Sequence, residues 1–214
     1  MTSYGKLTEI KHPILQHKLT ILRNKDTLPA GFRAVMNEIS GLLAYEATKD
    51  LGLKEIEIET PMERTKSPVI GEDLIVVSVM RAGIGMLNGV LEMLPFARAG
   101  HIGMYRDSFI HATVEYYFKI PDDSKGKRIL LVDPMLATAG TAVAAIKRLK
   151  QYEVGEIRFC CIVASPEGVR ELHDHHPDVS LYCLSVDREL NAKNYILPGL
   201  GDAGDRLYGT KALL

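Results

Sequence analysis

The sequence predicts an α/β fold, a mainly parallel central sheet flanked by helices with a small hood subdomain. Three observations carry that expectation. Leu74 to Met80 is a continuous apolar run of strand length, as in strands buried on both faces. Segments with a helical apolar period separate such runs, and this alternation builds parallel sheets. The 214 residues, 46% hydrophobic and 25% charged, suffice for a substantial core in one domain over 1–214.

Along the chain, Ile14, Leu15, Leu19 and Leu22 mark an outer helix within residues 1–25. Phe32, Val35, Ile39, Leu42 and Leu43 mark a second helix reaching about Leu51. Glu55-Ile56-Glu57-Ile58-Glu59 alternates as a half-exposed strand does, and Pro61 ends it. With the final loop, this strand is assigned to the hood over the strand ends. Leu74 to Met80 is a buried strand and Met86 to Leu94 a short helix. His101 to Tyr105 and Val114 to Ile120 are further strands around a polar loop, and Ile129 to Val132 is another buried strand. Its helix is followed by a strand (Ile157 to Ala164), a helix opened by Ser165-Pro166, and a strand (Leu181 to Val186).

Composition narrows the function. A formal net charge of −1 provides no global basic field for nucleic acid or anionic membrane. MTSYGKLTEIKHP is too polar for a secretory signal, and no apolar run approaches a membrane span. Cys160, Cys161 and Cys183 lie in apolar runs and read as buried reduced thiols of a cytoplasmic protein. His173, His175 and His176 have poor metal-ligand spacing and read as a solvated helix end, so no metal site is assigned to the chain.

The chemistry concentrates where strands end. After Val132 come Asp133-Pro134-Met135-Leu136-Ala137-Thr138-Ala139-Gly140-Thr141, then a helical pattern through Val143, Ile146 and Leu149. A helix starting at a strand's carboxyl end aims free N–H groups and a positive dipole end at an anion. Thr138 and Thr141 add hydroxyl donors. An ordinary strand, turn and helix fits the bare pattern equally well. Arg81-Ala82-Gly83-Ile84-Gly85, after another buried strand, reads as a second anion loop or as a glycine turn needed only for packing. It lacks the third glycine of a dinucleotide fingerprint, with Asn88 in that place. Arg106 ends the next strand and, taken alone, reads as a surface ion pair. Asp107 to Val114 reads as a flap. From Gly199 to Asp205 only Leu200 and Ala203 are neither glycine nor acid, a loop composition.

Val132 to Thr141 resembles the phosphoribosyl pyrophosphate (PRPP) motif of the type I phosphoribosyltransferases. Pro134 stands where most relatives have a second acid, which is the variant of the uracil phosphoribosyltransferase family. YILPGLGDAGDR, from Tyr195 to Arg206, is close to a signature of that family. The resemblance implies the type I fold and the reaction of uracil with PRPP to give UMP and pyrophosphate, a pyrimidine salvage step. It implies that PRPP is held by Arg81, Arg106, Asp133 to Thr141 and Asp202. It also implies that uracil is held through main chain at Ile196, Gly201, Asp202 and Ala203, with Met135 and Tyr195 packing on the ring or serving only the core. Asp133, Asp202 and Arg106 are the implied catalytic groups. Mg²⁺ is the implied cofactor, bound mainly through PRPP. A homodimer or homotetramer and a GTP effector are implied in the same way. Such anion loops often hold a strained or cis peptide, expected around Met80 to Ala82. Ala139 replaces the family's usual glycine and is taken as harmless, on the expectation that only its N–H is used. Two alternatives stay open: transfer to another base, and an RNA-binding regulator on the same fold.

Overall fold

The computed structural model describes residues 6–106 and 113–210. Its first half runs β1 (Leu7–Glu9), α1 (Pro13–Arg23), α2 (Pro29–Ala47), β2 (Leu53–Glu59), β3 (Arg64–Ile70) and β4 (Leu74–Met80). Next come α3 (Ile84–Met93), β5 (Arg98–Arg106), β6 (Thr113–Lys119), β7 (Arg128–Val132), β8 (Met135–Leu136) and α4 (Gly140–Lys150). Then follow β9 (Ile157–Cys160), β10 (Val163–Ala164), α5 (Pro166–His175), β11 (Ser180–Cys183) and β12 (Ser185–Val186). Last are β13 (Glu189–Leu190), β14 (Ile196–Leu197) and α6 (Ala203–Tyr208).

The main sheet has the order β1-β11-β9-β7-β4-β5-β6, parallel throughout except for β6 against β5. Its inner strands bury both faces. In β4, Leu74 and Val76 join a core with α1, α2, α3 and α6, while Ile75, Val77 and Val79 join one with α4 and α5. This period-2 split explains why β4 reads as a continuous apolar run rather than an alternating one.

Two expected strands are each broken in two. The runs 157–164 and 181–186 split at Cys161-Ile162 and at Leu184, and their second halves join β8 in a short parallel sheet, β12-β10-β8. Pro134 has no N–H to give a ladder, and its carbonyl instead accepts from Ile162 N (2.9 Å) and Val163 N (3.2 Å). The carboxyl ends of the sheet therefore bend at Asp133.

The alternating strand also differs from expectation. It is β2, every residue of which is exposed, and it pairs only with β3. Ile56 and Ile58 alternate without a core to face. Gly71 N donates to Gly52 O (2.8 Å) at the root of this ribbon, and three residues later β4 begins. The ribbon thus hangs from the amino end of the sheet, away from the strand ends it was assigned to cover. Over the carboxyl ends lies instead the stretch from Gly199 to Tyr208, read from sequence as loop as far as Asp205; its Asp202 and Gly204 line one cleft with Asp133 and Thr141. Tertiary contacts turn its last part into helix: Ala203 and Leu207 are buried, and Arg33 Nη1 donates to Leu207 O at 2.6 Å.

The three cysteines are free and buried. His176 is buried, and burial holds its pKa below the usual histidine value, so the solvated helix end applies to His175 but not to its neighbour. Its Nε2 lies 3.0 Å from Val143 O. None of the described helices is long and apolar enough to cross a membrane.

Candidate active site

β7 delivers Asp133 to the bend, and the chain then runs through β8 into α4. Ala139 is the N-cap of α4, with φ 60° and ψ −5° and no side-chain hydrogen bond to the first turn. The expectation that only its N–H matters is corrected here: the residue is left-handed. An alanine in that region costs about 1–2 kcal/mol. Its buried methyl returns about 0.8 kcal/mol. Ala139→Gly should therefore gain no more than about 1 kcal/mol, a rise of at most about 4 °C in melting temperature for a chain of this size. A clear loss of stability by calorimetry would show that the methyl outweighs the backbone cost.

The uncapped first turn of α4 faces a cavity of about 190 Å³, lined by Asp133 and by every residue from Met135 to Ala142. Pro134 is buried behind it, its carbonyl tied to the β9–β10 link. Ser165, also the N-cap of α5, is fully buried and donates from Oγ to Ala137 O (2.6 Å). Because C=O and N–H point oppositely in a trans peptide, this bond turns the N–H of Thr138 away from Ser165. Sequence reasoning found Ser165 as a helix start and missed its hold on the cradle, 28 residues away.

Asp133 and Thr141 also line an adjoining cleft of about 520 Å³, with Arg81, Asp202 and Gly204 among its other walls. The peptide Met80–Arg81 is cis, within the stretch where such a bond was expected. Gly83 is required by packing, since a Cβ there would lie 2.5 Å from Val79 O and 2.6 Å from Val132 O. Arg81 is free to face the cleft: a Cβ on Gly204 would lie 4.0 Å from its Nη2. Tyr208 at the end of α6 donates its hydroxyl to Arg81 O (3.0 Å), and this link has no local sequence signal. Met104, Tyr105 and Tyr116 add a wall that the sequence reading did not include.

The two acids differ in surroundings. Burial pushes the Asp133 carboxyl up to about 7, against a lowering hydrogen bond from the Met135 backbone. Asp202 caps α6, its Oδ1 accepting from Asp205 N at 2.9 Å, which leaves the other oxygen for the cleft.

The remaining assigned residues lie elsewhere. Ile196 and Ala203 are buried, and Gly201 is exposed in a left-handed turn (φ 79°). None of the three is among the residues lining the cleft. Met135 packs against the core and also lines the smaller cavity, whereas Tyr195 is exposed. Arg106 pairs by backbone with Thr113 at the end of β5, but its side chain lies outside the described residues, as do positions 107–112 of the flap.

The comparisons agree with this architecture. Residues 9–210 match the family model for uracil phosphoribosyltransferase. Curated uracil phosphoribosyltransferases from Legionella pneumophila and Sinorhizobium fredii are 50% and 52% identical to the chain. They align over 97% and 96% of it and over 98% and 99% of their own lengths. A solved structure from Aquifex aeolicus superposes with a TM-score of 0.91 at 34% identity, covering 96% of this chain and 99% of that one. A hypoxanthine-guanine phosphoribosyltransferase from Bacillus anthracis, at 12% identity, shares the fold with a TM-score of 0.53 over 74% of this chain and 80% of its own. With its type I architecture and near full-length likeness to these relatives, the chain belongs to the uracil phosphoribosyltransferase family.

Proposed function

We propose that the chain transfers the phosphoribosyl group of PRPP to uracil, giving UMP and pyrophosphate. The observation that carries the residue assignment is the meeting of Arg81, Asp133, Thr141 and Asp202 in one cleft beside an uncapped helix start. In this reading the first turn of α4, with Thr138 and Thr141, takes the 5′-phosphate. Asp133 accepts from the ribose hydroxyls. Arg81, with Arg106, faces the departing pyrophosphate as positive charge builds at the sugar. The loop from Ile196 to Ala203 presents main-chain groups to uracil and places N1 in line with C1.

Mg²⁺ fits this donor set. Two carboxylates, Asp133 and Asp202, face the cleft. That suits a hard cation carried mainly by the pyrophosphate, with Asp202 reaching its bound water. When bound, the metal neutralises charge on the leaving group.

We read residues 1–214 as one phosphoribosyltransferase domain whose hood combines the N-terminal helix with the C-terminal loop. A homodimer or homotetramer, a GTP effector and a cytoplasmic setting belong to the same proposal, and the buried free thiols suit a reducing compartment. The test is UMP formation from uracil and PRPP, with Mg²⁺ present or chelated and with cytosine or a purine in place of uracil. Turnover should need the metal and uracil. Faster turnover of another base would overturn the substrate assignment.

A further inference from the structure

Between Ile196 and Gly201 the chain passes through Gly199, and both main-chain polar groups of that residue are held by side chains from distant parts of the fold. Gly199 N donates to Asp187 Oδ2 (2.8 Å), and Gly199 O accepts from Arg23 Nη1 (2.7 Å). The two side chains also form a fork with each other, Nη1 to Oδ2 at 2.7 Å and Nη2 to Oδ1 at 2.6 Å. Ser185 Oγ donates to Asp187 Oδ1 (2.7 Å), and Asp187 N donates to Ala164 O at the end of β10 (2.8 Å). The carboxylate is therefore anchored to the sheet, with only 2% of its side chain exposed.

Gly199 has φ 61°, and a Cβ there would lie 2.1 Å from Ile196 O. The turn is thus closed tightly enough that fixing Gly199 also fixes the carbonyl of Ile196. The neighbouring residue is held in the same manner, since Arg206 Nη1 donates to Leu200 O (2.9 Å) and its Nη2 donates to Asn24 O (2.6 Å). Neither Arg23 nor Asp187 is among the residues lining the cleft. Their reach into the site runs only through the backbone they hold.

We propose that Arg23 and Asp187 are positioning residues for the base, a clamp that sets the shape in which the loop from Ile196 to Ala203 presents its main chain to a pyrimidine. This inference rests on the assignment of that loop to uracil. A purely structural ion pair would cost stability and weaken both substrates alike. A positioning clamp acts chiefly on the base, because Asp202, which the loop shares with PRPP, is fixed separately as the cap of α6, and the phosphate cradle is built from Asp133 to Thr141 and braced by Ser165.

Steady-state kinetics on Arg23→Lys and Asp187→Asn separate the two. Lysine keeps a cation beside the buried carboxylate, so the fold survives, but it cannot serve the fork and Gly199 O together. Loss of one charge-assisted bond should raise the KM for uracil about tenfold, with the KM for PRPP within about twofold. An unchanged uracil KM in a folded Arg23→Lys enzyme overturns the clamp, and so does an equal rise for both substrates. Gly201→Val is the control: if it leaves the uracil KM unchanged, the base is read elsewhere and the loop assignment itself fails.

Discussion

Asp133→Asn should weaken PRPP binding about 10- to 150-fold, the value of the 1.5–3 kcal/mol carried by a hydrogen bond to a charged acceptor. The fold should be unharmed, for a reason that lies in the sign of the pKa shift. Burial raises the carboxyl to about 7, so the folded state favours its protonated form. Stability from this group is full below the ordinary carboxylate range and is lost as pH rises through about 7. A neutral amide removes that loss, so at pH 8 the variant should melt no lower than the parent. The same shift makes PRPP binding pH-dependent. An ionised Asp133 is the better acceptor for ribose hydroxyls, so affinity should fall by up to about tenfold per pH unit below 7. PRPP has ionisations of its own, and the difference between parent and variant isolates the Asp133 share. Calorimetric titration from pH 5.5 to 8.5 reads both quantities. Identical profiles for the two proteins would take Asp133 out of the ribose site.

Gly201→Val should abolish uracil binding and leave PRPP binding intact, while Ile196→Val should leave both. Where main chain meets the base, a branched Cβ in place of a glycine blocks the ligand's close approach. The structure adds a different cause: a Cβ on Gly201 meets nothing closer than Arg206 Cδ at 3.4 Å, but φ is 79°, where a β-branched residue is strained. The turn must then open, and the main-chain groups move with it. Ile196 is buried, so its shortening costs about 0.5–1.5 kcal/mol of stability and keeps the backbone. Titrating uracil and PRPP into each variant separates the two effects.

What the sequence made legible follows the range of the forces involved. β4, β7, α4 and the Ser165 cap were readable because burial on both faces and capping chemistry leave their mark within a few residues. The family string at 132–141 and the glycine loop were readable for the same reason. The breaks in the two late strands were not, since they depend on what lies across the ladder from Pro134. α6 was hidden because a Gly-Asp-Ala-Gly-Asp string has poor helix propensity, and its stability comes from Leu207 packing and the Arg33 contact. The alternating Ile56 and Ile58 gave the right element but the wrong place, because period 2 specifies a strand and not what covers it. Arg23 and Asp187 are separated by 164 residues, and no window of sequence contains both.

That separation has a consequence for how the protein is made. The phosphate cradle needs Asp133 to Thr141 and the nearby Ser165, so it is complete once that contiguous block has folded. The base loop needs residues 22–24 to meet residues 199–206, across separations of up to 184 residues. Closing so long a loop is entropically late, and during synthesis the first of these residues waits for the others to emerge. Order of assembly thus follows the ligand site: the 5′-phosphate cradle is ready first, and the end that tells one base from another is finished last.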